Sequence, residues 1–330
     1  MQKSANSKTR KQSKGLHPRN IHRNGYDFDA LKACHPPLAQ HIKSNPAGAA
    51  TIDFANIDAV KALNTALLQH HYKIESWSIP DGALCPPIPG RVDYIHYIAE
   101  LLGCPLPSGK INTANTCTAN ANTSNTRTNN PLNLLDVGTG ANGIYALLAC
   151  AVYGWRCVGS DINSESLANV KAVLTNNPTL NANISLRLQP NKDAFFSQII
   201  QTDEYFDVSV CNPPFHASQE EASKGTNRKL HNLARSRDTA HTAKQPSLNF
   251  GGQHAELWCN GGERLFLKKM IKESQDFAQQ VGWFTSLVSK SENVQPALKL
   301  IRKLGATEVR EIEMMQGNKI TRVIAWRFNP

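Results

Sequence analysis

Leu134-Leu135-Asp136-Val137-Gly138-Thr139-Gly140-Ala141-Asn142-Gly143 is an apolar run that breaks into three glycines spaced G-x-G-x-x-G. A short continuous apolar run bounded by glycine reads as a buried strand. The glycines make a tight turn into a helix that begins near Ile144. Without side chains at Gly138 and Gly140, a ligand can lie against the backbone where the strand end meets the helix amino terminus. The pattern alone serves several adenosine-containing cofactors, so its surroundings must decide.

Working outward, strand-like runs alternate with helical ones on the carboxyl side: Leu132 to Val137, Arg156 to Asp161, Ile184 to Leu188, Phe206 to Cys211 and Trp283 to Ser289. Such alternation predicts a mostly parallel sheet covered by helices on both faces. Val309 to Met314 and Arg322 to Phe328 flank a Gln316-Gly317-Asn318 turn and read as an antiparallel hairpin. A seven-stranded, mostly parallel α/β sheet closed by an antiparallel hairpin is, by analogy, the class I (Rossmann-like) methyltransferase layout. Asp161 ends the second strand about twenty residues after the glycine loop, where a carboxylate can accept hydrogen bonds from ribose hydroxyls. Its alternative role is the cap of a helix starting at Ser164. Asp136 is nearly as well explained by a structural role as by a ligand contact.

On the amino side, Lys3, Lys8, Arg10, Lys11, Lys14, Arg19 and Arg23 precede the first acidic residue, Asp27. Residues 1–25 therefore read as a basic, disordered arm suited to a polyanion, with a solvated tail as the plainer reading. Residues 26–108 carry interrupted helical patterning and read as a mainly helical, RNA-binding substrate-recognition region. Asp58 to Leu68 is one clear amphipathic helix, and Pro80, Pro86, Pro87 and Pro89 halt regular structure until a second helix opens at Arg91. Residues 109–130, rich in Asn and Thr, read as a linker to a domain spanning 131–330. The chain has 330 residues and a formal charge of +10. Its longest apolar stretch, Ile144 to Trp155, is shorter than the roughly 20 residues a membrane span needs. Eight cysteines without a C-x-x-C pair suggest a reduced, cytoplasmic protein with neither disulfide framework nor metal.

The strongest chemical signal is Asn212-Pro213-Pro214-Phe215, directly after the strand ending at Cys211. Proline at 213 pushes Asn212 toward extended backbone and ends the strand, leaving rigid outward carbonyls. Those acceptors suit an exocyclic amine such as adenine N6, whose lone pair is delocalised and whose protons no ordinary side-chain base removes. If the Asn212 side-chain oxygen and the Pro213 carbonyl each accept one amine proton, the nitrogen presents its lone pair to a sulfonium methyl, and positioning does the catalysis. Phe215 can stack on the base. A Pro-Pro turn with Phe215 in the core is the structural alternative.

Together with Leu16-His17-Pro18-Arg19-Asn20, Asp53-Phe54-Ala55-Asn56, Ile88-Pro89-Gly90-Arg91-Val92-Asp93-Tyr94-Ile95-His96 and Asn249-Phe250-Gly251-Gly252-Gln253, these motifs resemble the bacterial 23S ribosomal RNA adenine N6-methyltransferase family. Eukaryotic enzymes that methylate small nuclear RNA belong to the same family. The likeness runs from about residue 16 to the carboxyl terminus. It implies S-adenosylmethionine as donor and one adenine of 23S ribosomal RNA, or of a large-subunit assembly intermediate, as acceptor. It also implies that Arg91 grips the cofactor's methionine carboxylate, that Asp161 takes the ribose, and that Asn212 to Phe215 form the catalytic loop. Asp136, Gly138, Gly140 and Asn212 complete the expected cofactor set.

For RNA the expected contacts are Arg19, Arg23, Lys224, Arg228 and Lys229, with Arg235 and Arg237 beyond them. The stretches 109–130 and 234–247 look longer than the family pattern. A monomer without metal or membrane partner is expected. Three rival readings stay open: a methyltransferase acting on DNA or on protein glutamine, a nicotinamide-dependent oxidoreductase using the glycine loop, and a non-catalytic RNA-binding relic. The oxidoreductase leaves Asn212 to Phe215 unexplained.

Overall fold

The computed structural model describes residues 15–106, 131–214, 259–316 and 319–329. Phe215, Lys224, Arg228, Lys229, Arg235, Arg237 and Asn249 to Gln253 lie outside the described residues, as do the 109–130 segment and the first fourteen positions.

Seven strands form the central sheet: β3 (Asn133–Val137), β4 (Arg156–Asp161), β5 (Ile184–Leu188), β6 (Phe206–Cys211), β7 (Val281–Val288), β8 (Glu308–Gln316) and β9 (Lys319–Arg327). Their order is β5-β4-β3-β6-β7-β9-β8. The four inner pairings from β5 to β7 are parallel, and β9 and β8 add as an antiparallel hairpin. The class I methyltransferase layout expected from the sequence is therefore the one found.

Eight helices of four or more α-helical residues surround the sheet among the described residues. On one face lie α1 (Phe28–Cys34), α2 (Ile57–Tyr72), α3 (Ile88–Leu101) and α4 (Ile144–Tyr153), with α5 (Ser164–Thr175) and α6 (Pro178–Asn181) at the β5 end. On the other, α7 (Gly262–Ser274) and α8 (Val294–Lys303) pack with Phe195, Phe196 and Ile199. Asn56 caps α2 by accepting from the Asp58 and Ala59 amides, which places its start one residue before the predicted helix. A short hairpin, β1 (Ile42–Ser44) and β2 (Ala50–Ile52), and helix α1 were not visible in the sequence pattern because three to seven residues carry too little periodicity.

Two expectations are corrected. Regular structure resumes at Ile88, not after Gly90, because Pro89 falls in the first turn of α3, where its missing amide hydrogen has no intrahelical acceptor. The arm predicted for residues 1–25 is a folded segment from Gly15 onward. Asp93 of α3, fully buried, accepts from the His17 amide at 2.7 Å and the Asn20 side chain at 2.8 Å, while Asn20 also donates to the Pro89 carbonyl at 2.9 Å. His22 meets the Tyr72 hydroxyl at 2.7 Å. The motif Leu16 to Asn20 thus works as a clasp that fastens the amino-terminal segment to α3.

The amino-terminal helices share one apolar core with the sheet. Leu31, Leu67, Ile95 and Ile98 belong to the same buried cluster as Leu134, Leu147, Val208, Trp283 and Val323. The α4 sequence Ile-Tyr-Ala-Leu-Leu-Ala-Cys-Ala-Val-Tyr is apolar all round because it lies between the sheet and these helices.

Candidate active site

Parallel register brings three loop starts to one edge. Val137 stands opposite Ser160 on β4 and Cys211 on β6, so Gly138, Asp161 and Asn212 leave neighbouring strands at the same level. With strands about 4.8 Å apart, Asp161 and Asn212 flank the glycine loop across roughly 10 Å, the width of a nucleoside.

The loop is fixed by its amides. Gly138 and Thr139 both donate to the Ser160 carbonyl at 2.9 Å, and Gly140 donates to Asp161 Oδ2 at 2.8 Å. Such a turn needs left-handed backbone, and Gly138 and Gly140 have φ of 73° and 64°. A Cβ on Gly138 would meet no atom within 4 Å, so that position faces open space. A Cβ on Gly143 would lie 2.8 Å from Val170 Cγ1, so the third glycine lets α4 approach α5. Asn169 and Trp77 hold the outer loop, donating to the Ala141 carbonyl at 2.7 Å and the Asn142 carbonyl at 3.1 Å.

The two aspartates have different tasks. Asn163, not Asp161, caps α5 by accepting from the Glu165 and Ser166 amides. Asp161 instead accepts from the Gly140 and Asn163 amides and stands at the loop edge. Asp136 lies fully buried beneath the loop, where its Oδ2 accepts from the Thr139 hydroxyl at 2.7 Å and its Oδ1 has no partner among the described residues. Burial, reinforced by the Asp161 charge, pushes its carboxyl up to about 7. Of its two possible roles, support of the loop is the one this placement favours.

Arg91 reaches the site from α3. Its Nη1 donates to the Tyr145 hydroxyl at 2.6 Å and its guanidinium lies 5.5 Å over the Tyr145 ring, while its buried Nε has no partner among the described residues. On the other flank the Asn212 side-chain oxygen is buried and equally without a partner there. Leaving a buried acceptor unpaired costs about 1–3 kcal/mol, so such an atom at a strand end points to a ligand donor. Pro213 is buried behind it.

Arg19, which the sequence reading assigns to RNA, is half-buried and donates to the Cys104 carbonyl at 2.7 Å and the Tyr153 hydroxyl at 3.4 Å. Its guanidinium thereby ties residues 15–25 to the loop after α3. Arg23 is exposed. Tyr145 and Thr139 were not singled out in the sequence, since a Tyr after a glycine loop and a Thr within one have no distinguishing spacing. A cavity of about 500 Å³ lined by Asn133, Arg156, Ile184 and Phe206 opens at the amino ends of the strands, the edge opposite the glycine loop. Among the described residues no group of His, Cys, Asp and Glu is arranged to hold a metal, and no helix is long and apolar enough to cross a membrane.

Residues 10–330 match the Methyltransf_10 family, described as RNA methyltransferase. The chain belongs to this RNA methyltransferase family. It is 91% identical over 330 residues, 100% of both chains, to the Ribosomal RNA large subunit methyltransferase F of Saccharophagus degradans. It is 54% identical over 315 residues to the protein of that name from Shewanella baltica, covering 96% of this chain and 81% of that one. The catalytic domain of human Mettl16, solved in complex with MAT2A 3'UTR hairpin 6, superposes with a TM-score of 0.73 at 25% identity, over 96% of this chain and 98% of that one. The N-terminal domain of human METTL16 in complex with SAH shares the fold, with a TM-score of 0.70 at 23% identity over 96% of this chain and 100% of that one.

The methyl donor of this RNA methyltransferase is S-adenosylmethionine. The edge fits it: open space over Gly138, an unpaired Arg91 Nε and the Asp161 carboxylate can receive its backbone-facing surface, its carboxylate and its ribose.

Proposed function

We propose that this chain methylates the N6 amine of one adenine in 23S ribosomal RNA, with Asn212 as the residue that orients the amine. The observation that carries the reading is the buried, unpartnered Asn212 side-chain oxygen one residue past β6, at the same sheet edge as the glycine loop. An acceptor in that position holds one amine proton, and the rigid Pro213 carbonyl takes the other. Both protons are then directed away from the face on which the nitrogen lone pair attacks. S-adenosylmethionine supplies an electrophilic methyl on a sulfonium, so no strong base is required before transfer.

Arg91 is assigned to the donor's carboxylate, with Tyr145 fixing its guanidinium, and Asp161 to the ribose. Gly138 and Gly140 keep the loop backbone open to it. Asp136 braces Thr139 from below. Phe215, next after Pro214, is assigned to stacking on the extruded base. Arg23, Lys224, Arg228 and Lys229 are assigned to RNA phosphates, together with the basic residues before Gly15, and removal of such contacts weakens binding most at low salt. The chain is proposed to act as a cytoplasmic monomer on RNA or on a large-subunit assembly intermediate, where the acceptor base is still reachable.

The test is methyl transfer from labelled S-adenosylmethionine to large-subunit RNA from a strain lacking this enzyme, followed by nuclease digestion and mass spectrometry. N6-methyladenosine at a single site supports the reading. Label on cytosine, on DNA or on protein, with none in RNA, overturns it.

A further inference from the structure

The β6–β7 ladder stops short of the catalytic loop. It pairs Phe206 with Val281, Val208 with Trp283 and Ser209 with Phe284, whereas the β3–β6 ladder continues to Val137 and Cys211. The last residues of β6 before Asn212 are therefore held by strand pairing on one side only. Tyr94, from α3, fills the other side.

Its side chain is fully buried, and its hydroxyl lies 2.7 Å from Thr285 Oγ1 on β7. Thr285, also fully buried, donates to the Ser209 carbonyl at 2.8 Å. A threonine hydroxyl has one proton, and a carbonyl can only accept. With that proton committed to Ser209, Tyr94 must donate to Thr285, which leaves the Tyr94 oxygen to accept. That oxygen faces the Cys211 backbone. The polarity of the chain is thus fixed: Tyr94 donates to Thr285, and Thr285 to the Ser209 carbonyl. Two hydroxyls in an apolar core brace the end of β6 from the side where the β7 ladder stops, and they close on Ser209, three residues before Asn212.

The same tyrosine packs edge-on against Tyr145, with ring centroids 5.4 Å apart at 88°, and Tyr145 is the partner of Arg91. Helix α3 therefore places a guanidinium at the glycine loop and a hydroxyl at the catalytic strand from positions three residues apart, which share one helix face.

We propose that Tyr94 is a positioning residue for methyl transfer, acting through Thr285 and the end of β6 to fix where Asn212 presents its side-chain oxygen. The proposal rests on the catalytic role of Asn212 given above. A displacement of the acceptor by a fraction of an ångström leaves cofactor and RNA bound but misaligns the amine, so the effect falls on kcat.

The experiment compares full-length Tyr94→Phe, Thr285→Val and Thr285→Ser with the wild-type chain. It measures kcat and KM for RNA, S-adenosylhomocysteine affinity by calorimetry, Tm, and deuterium exchange of the 209–212 amides. Tyr94→Phe removes one oxygen and keeps the ring. It and Thr285→Val are expected to lower kcat roughly tenfold to 100-fold. KM and S-adenosylhomocysteine affinity stay within about twofold in both, amide exchange at 211 quickens, and Thr285→Ser restores kcat because it keeps the hydroxyl.

A Tyr94→Phe chain with wild-type kcat and wild-type exchange overturns the proposal. So does loss of cofactor affinity in step with rate, which would make Tyr94 a support for Tyr145 alone, and so does a Tyr94→Phe chain that does not fold. Should the wild-type chain methylate no RNA, the functional reading fails. Exchange at 211 then still decides whether Tyr94 holds the strand end.

Discussion

Asn212 and Asp136 each carry a buried side-chain oxygen without a partner among the described residues, yet their surroundings give them opposite relations to the solvent edge. Asn212 follows the last residue of β6, half-buried, where a ligand can reach it. Replacing it with Ala removes an acceptor that acts on the reacting amine, so kcat is expected to fall at least ~100-fold while S-adenosylhomocysteine affinity changes little. Near-normal turnover, measured with labelled donor, would remove Asn212 from the chemistry. Asp136 is enclosed, and its folded-state carboxyl titrates near 7 against an ordinary value near 3.8. An acid with a raised folded pKa binds its proton more tightly when folded, so its contribution to stability is complete below about pH 4 and is lost as the pH rises through 7. Asp136→Asn keeps an acceptor for Thr139 and cannot ionise. It should unfold at a higher denaturant concentration than wild type at pH 8 and at nearly the same concentration at pH 3.5.

Elements are set against each other at this site by glycines that do different work. Gly138 and Gly143 both have positive φ, 73° and 58°, so an L side chain at either costs about 1–2 kcal/mol of backbone strain. Only Gly143 also faces a neighbour, Val170 of α5, at a distance no Cβ tolerates. Gly143→Ala should therefore cost a further 1–3 kcal/mol or so through overpacking and lower the Tm more than Gly138→Ala does. Gly138→Ala should instead be the variant that loses cofactor affinity, since its methyl enters the space over the loop. Equal losses of Tm and of affinity in the two variants would contradict this division. The sequence showed both as members of one G-x-G-x-x-G, and nothing in the spacing tells which faces a ligand and which a helix.

At the scale of the whole molecule, the amino-terminal segment, α2, α3 and the sheet form one core, and the histidines at that junction make it sensitive to acid. Burial lowers His22 to about 4 and His96 to about 3, each reinforced by other nearby cationic groups. A base whose folded pKa is depressed contributes stability that is present above its ordinary value of 6.5 and is lost as the pH falls toward the folded value. One pH unit below 6.5, each should cost roughly 1 kcal/mol. His22→Gln combined with His96→Gln should reduce the loss of stability between pH 7 and pH 5.5 in chemical denaturation. An unchanged slope would mean that these rings are charged in the folded protein.

The sequence by itself determined the strand order of chemistry: an apolar strand running into glycines, Asp161 at the end of the next strand, and Asn-Pro-Pro-Phe after a third. β4, β5 and β6 fall at the residues its apolar pattern predicts. Such features are local, because periodicity, glycine and proline act within a few residues. Only the tertiary structure decided that Arg19 and Leu16 to Asn20 fasten the fold, that Asn163 rather than Asp161 caps α5, and that Tyr94 and Thr285 meet across 191 residues of chain. Those roles depend on which distant partner completes each hydrogen bond, and a buried polar group takes its meaning from the partner that burial gives it.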